Sequence, residues 1–136
     1  MSGKRAVEAI ILIGHGSRIP GAGGDMERVA LRMRERMPGK IIETCAMSKL
    51  GPHFPEIFRK CAAAGAKKII VIPYFLYMGV HIREDIPRIM REEVRAYPDV
   101  QLVLGRNLGF DEHLVDLVIK RTEESLDLDD IRAGET

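Results

Sequence analysis

Two histidines in this chain stand where side-chain chemistry is well placed. His15 directly follows the apolar run EAIILIG (8–14) and lies between Gly14 and Gly16, in the stretch AIILIGHGSRIPGAGG. His81 follows a second apolar run, KKIIVIPY (67–74), by the short connection FLYMGVH. Imidazole binds borderline divalent metals as a neutral ligand and also exchanges protons near neutral pH. The glycines leave His15 without flanking side chains. Beyond Gly16, the residues Ser17 and Arg18 and the glycines of PGAGGD lead into a helical pattern. Free amides, a helix N-terminus and an arginine together suit a carboxylate-rich or phosphorylated ligand.

Each of these residues has a plainer reading beside the chemical one. A histidine at a strand end also serves as a structural hydrogen bonder, and Arg18 also reads as a solvated side chain. The glycine run lacks the G-x-G-x-x-G spacing of a dinucleotide site, and there is no P-loop. Ser17 does not sit in a G-x-S-x-G elbow. His53 is expected to open a helix, and His113, beside Asp111 and Glu112, to lie on a solvated face.

Four continuous apolar runs read as buried parallel strands: 8–14, 40–47, 67–74 and 100–106. Helical spacing fills the intervals. Residues 25–37 put Met26, Val29, Ala30, Met33 and Met37 on one face, a core stripe rather than a soft-metal site. Residues 54–65 do the same with Phe54, Ile57, Phe58 and Cys61, and stop at Gly65. A third helix is expected over 83–98, with Asp85 as its N-cap and Pro87 in its first turn, and a fourth over 109–126. Strand and helix alternate four times, which argues for an α/β fold: one four-stranded parallel sheet flanked by helices, flavodoxin-like in order. Such sheets bind ligands beyond the carboxyl ends of their strands, where the strand order switches. If the first and third strands are neighbours, His15 and His81 share that crevice.

At 136 residues the chain suits one domain, 1–126, with an acidic, frayed tail over 127–136. Basic and acidic residues number 21 and 20, so charge gives no general reason to bind nucleic acid or an anionic membrane. Aromatic residues are 5% with no tryptophan, which leaves no stacking platform for single strands. No apolar run approaches the ~20 residues of a membrane span. Cys45 and Cys61 fall in strand and helix patterns, so both are expected to be reduced and packed, in a cytoplasmic protein.

The order of GHGSR after the first strand, GPHFPEIF opening the second helix and VIPYFLYMGVHIREDIP leading into the third resembles the short CbiX-type sirohydrochlorin chelatases, relatives of the ferrochelatases. The similarity spans roughly residues 7–120, and PYFLYMGVHIREDIP is its most specific piece. The resemblance implies ATP-independent insertion of a divalent metal, Co2+ most typically and Ni2+ or Fe2+ in relatives, into sirohydrochlorin. The metal is then a substrate, and no permanent cofactor is needed. His15 and His81 match the family's metal-handling histidines. Gly16, Ser17 and Arg18 would hold the carboxylates of the macrocycle, and Leu76, Met78 and Gly79 would wall it. Many relatives carry an acidic residue where this chain has Ser48, with Glu43 and Glu84 as possible substitutes. Longer chelatases contain two such units around one cleft, so a single unit implies a homodimer. Three other readings stand beside this one. A non-catalytic carrier of metal or tetrapyrrole would use the same histidines. A histidine phosphatase would need an arginine where Gly14 stands, and a flavodoxin-like regulatory domain would need acidic residues clustered at its strand ends.

Overall fold

The computed structural model describes residues 7–16 and 24–134. Strand β1 (Val7–Gly14) leads to helix α1 (Gly24–Arg36), β2 (Ile41–Ala46), α2 (Phe54–Ala63), β3 (Ala66–Pro73), α3 (Val80–Val94), β4 (Gln101–Leu104) and α4 (Glu112–Glu124), followed by a 3-10 turn at Ile131–Gly134. The four strands form one parallel sheet in the order β2-β1-β3-β4. The expected adjacency of the first and third strands is therefore present, and the order switches between them.

Alternation along β1 divides the core in two. Ala9, Ile11 and Ile13 face the larger cluster with Phe54, Phe58 and Cys61 of α2 and Ile86 and Met90 of α3. Ile10 and Leu12 face Ala30, with Met26, Met33 and Met37 packed around them, under α1. Both faces of β1 are thus covered, which is why its sequence reads as a continuous apolar run. Thr44 of β2 is buried, and its hydroxyl donates to Glu27 Oε1 of α1 at 2.5 Å. Helix α2 ends as expected, with Gly65 at φ +99° just past its C-cap. Cys45 and Cys61 are buried and unpaired.

The third and fourth helices differ from expectation. Helix α3 begins at Val80, with Gly79 as its N-cap in extended backbone and the Arg83 N–H bonded to the Gly79 carbonyl at 3.0 Å. Glycine caps nearly as well as threonine, and reliance on Asp85 and Pro87 placed the start too late. Asp85 instead pairs with Arg88 at 2.9 Å, and Pro87 lies inside the helix. Buried Ile86 and Met90 anchor the helix on either side of that proline. Strand β4 is shorter than its apolar run, and α4 contributes no buried residue. An open groove of about 730 Å³ separates α1 from α4, with Val29, Met33, Tyr74 and Leu117 among its lining. The tail residues 127–134 are exposed throughout.

Candidate functional site

At the end of β1 the sheet pairing runs past the strand on both sides. The Ile13 carbonyl accepts the Tyr74 N–H at 2.7 Å, the Gly14 carbonyl accepts Met47 N–H at 2.8 Å, and the His15 carbonyl accepts Ser48 N–H at 2.9 Å. The His15 backbone is therefore fixed while its side chain is exposed. The sharp bend comes at Gly16, where φ is +86°, and not at Gly14. A Cβ on Gly16 would also lie 2.4 Å from Ser48 Oγ and 2.8 Å from Ala46 Cβ. Only glycine meets both demands. Gly14 has a different role, since a Cβ there would meet the Met26 sulfur at 2.7 Å. Ser17 and Arg18 lie outside the described residues.

The connection from β3 to α3 is held from the neighbouring strand. Asn107, just past β4, donates from Nδ2 to the carbonyls of Phe75 and Leu76 at 3.1 and 3.0 Å. Of the residues expected to wall a ligand, Leu76 is 56% exposed, whereas Met78 packs against the larger core. Gly79 has open space where a Cβ would stand. Tyr77, which sequence reasoning passed over, is 83% exposed and is the largest free surface in this connection. Its signal was present: a tyrosine between two apolar residues at a strand's carboxyl end. His81 is the second residue of α3 and not a loop residue as expected, and it too is exposed. Glu84, also exposed, follows it by three positions, so the two share one face of the first turns.

His15 thus directly follows the carboxyl end of β1, whereas His81 lies in the first turn of α3, beyond the end of the neighbouring strand β3. Among the described residues, no three His, Cys, Asp or Glu side chains are gathered closely enough to hold a metal ion. Ser48 sits beside His15 and Gly16. Glu43 sits mid-strand and pairs with Lys60 of α2 at 3.2 Å, away from that edge. His53 is the N-cap of α2; its Nε2 donates to the Ser48 carbonyl at 2.7 Å, and its N–H donates to Glu56 Oε1 at 3.0 Å. It opens the helix, as expected, and also pins the chain behind His15. His113 is solvated; its Nδ1 meets Asp111 Oδ1 at 2.7 Å, which raises the imidazole pKa and, with the His113 N–H, lowers that of Asp111.

The CbiX family model matches residues 9–125, which takes in β2, β3, β4, all of β1 but its first two residues, and both His15 and His81. The chain belongs to the CbiX family. Among family relatives, the sirohydrochlorin cobaltochelatase of Methanocaldococcus jannaschii is 30% identical over 139 residues, covering 85% of this chain and 97% of that protein. The sirohydrochlorin ferrochelatase of Priestia megaterium is 27% identical over 119 residues, covering 88% of this chain but 45% of its own length. The cobalt complex of the sirohydrochlorin chelatase SirB from Bacillus subtilis subspecies spizizenii superposes with a TM-score of 0.79 at 26% identity, over 87% of this chain and 50% of that one. No helix among the described residues is long and apolar enough to cross a membrane.

Proposed function

We propose that this CbiX-family chain is an ATP-independent chelatase that inserts a divalent metal into sirohydrochlorin, with Co2+ as the preferred ion and Fe2+ or Ni2+ as alternatives. The observation that carries the reading is the pair of exposed histidines that follow the adjacent strands β1 and β3, His15 directly after β1 and His81 in the first turn of α3, inside the span of the family match. The metal is substrate, and no resident cofactor takes part.

Metallation exchanges two pyrrole N–H protons for one M2+ ion, so the site must pass on a metal and accept protons. His15 and His81 act as neutral ligands that deliver the ion and as proton acceptors. An open pair suits release better than a closed four-ligand cage. Glu84, one turn along α3 from His81, supplies the carboxylate that Ser48 lacks. Leu76 and Tyr77 form the apolar wall for the macrocycle, and the Gly16–Arg18 segment holds its carboxylates. A homodimer builds the cleft, a reading supported by the chain spanning half of the SirB chain. Buried, unpaired Cys45 and Cys61 favour a reducing, cytoplasmic setting.

The test is absorbance-monitored metallation of sirohydrochlorin with each metal and no ATP. The expected outcome is acceleration over buffer, reduced at least tenfold in His15→Ala and in His81→Ala and less in Glu84→Gln. Macrocycle binding with no acceleration would instead establish the carrier, which is the second reading the same two histidines support.

A further inference from the structure

The connection between β3 and α3 alternates between inward and outward side chains. Phe75 and Met78 pack on the larger core, while Leu76 and Tyr77 between them are exposed. That exposed pair lies in a bend, outside both strand and helix. A side-chain amide holds it. Asn107, half-buried, reaches over from the β4–α4 connection, and its Nδ2 donates one hydrogen each to the carbonyls of Phe75 and Leu76, at 3.1 and 3.0 Å. Those two carbonyls belong to the planar peptide groups on either side of Leu76. One amide therefore sets both planes around that residue, and with them the direction of its side chain and the entry to Tyr77. The Gly109 N–H adds a longer bond to the Phe75 carbonyl, at 3.5 Å. Aspartate has the shape of asparagine but no hydrogen to donate, and it would set a charge against two carbonyl oxygens.

We infer that Asn107 is a positioning residue for the macrocycle: it holds Leu76 and Tyr77 in their binding arrangement before sirohydrochlorin arrives. The inference rests on the function proposed above and adds to it a residue from a connection that carries neither His15 nor His81. A wall held in advance needs no ordering when a flat ligand settles on it. A free loop binds only through the fraction of molecules that present the wall correctly, so apparent affinity falls by that fraction. Saturating macrocycle restores the arrangement. Loss of the clamp is therefore a KM effect, and turnover by the two histidines is preserved.

Steady-state metallation by the parent chain, Asn107→Asp and Asn107→Ala tests this, with sirohydrochlorin and Co2+ varied in turn. The KM for sirohydrochlorin is expected to rise roughly tenfold or more in Asn107→Asp, with kcat within about twofold of the parent and the KM for Co2+ unchanged. Asn107→Ala removes both hydrogen bonds without adding a charge, and gives the same reading if the aspartate variant fails to fold. In a Leu76→Ala/Tyr77→Ala background, Asn107→Asp is expected to raise that KM by less than about twofold further, because the side chains it acts through are gone. An asparagine that only supports the fold would lower kcat in proportion to the folded molecules lost, at the parent's KM. That pattern, an equal rise of KM in both backgrounds, or loss of the fold in both single variants would overturn the inference. A parent chain that does not accelerate metallation would overturn the proposed function, and this inference with it.

Discussion

A single glycine decides the shape of the edge from which His15 projects. Gly16 combines a left-handed backbone with a neighbour, Ala46 Cβ, that cannot turn aside. Gly16→Ala is expected to destabilise the fold by about 1–3 kcal/mol, the usual cost of a side chain in that region plus the close contact. Urea unfolding measures it. Gly14→Ala should cost less, because the Met26 thioether is flexible and can move. The importance of the two glycines was legible in the sequence, but not their division of labour. A G-H-G string carries no φ angle, and the atoms that crowd Gly16 come from 30 residues away. Tyr77 was missed for a related reason. Apolar and aromatic residues in a loop look alike until the core chooses which one, here Met78, to bury.

At the scale of elements, the firmest reading was the face of α2. Phe54, Ile57, Phe58 and Cys61 were placed on one side by spacing, and all four are buried. Phe58 is fully enclosed, with its ring 5.7 Å from Phe54 and edge-on to Tyr97 at 4.9 Å. Phe58→Ala is expected to cost about 3–5 kcal/mol, a large part of the 5–15 kcal/mol that holds a domain of this size. The chemical-denaturation midpoint reads that loss. The start of α3 was misread because a glycine cap in extended backbone leaves no side-chain mark. Helix α4 was recognised, but its lack of buried residues was not. Periodicity reports that a helix has an apolar face and is silent on which surface covers it.

For the molecule as a whole, the buried thiols tie stability to alkaline pH. Burial pushes Cys45 up to about 12, and Cys61 to about 11, from an ordinary value of 9.0. The folded state therefore holds its thiol protons more tightly than the unfolded chain. Their contribution is complete below about pH 9 and falls as pH rises toward the folded values, by up to about 1.4 kcal/mol per pH unit for each thiol. Urea midpoints of the parent chain are expected to drop more steeply between about pH 9 and 11 than those of a Cys45→Ala/Cys61→Ala double variant. The sheet order itself was inferable, since short alternating connections leave few topologies.

That order also governs synthesis. Strand β1 is made first, yet it pairs with β2 along Ala9–Ile41 to Gly14–Ala46 and with β3 along Ala9–Ile69 to Ile13–Pro73. The most apolar strand therefore emerges from the ribosome with both edges bare. One edge stays open until residue 73 has been added. A nascent chain halted before β3 carries an adhesive, unpaired strand, and the site around His15 comes into being only when β3 has left the exit tunnel.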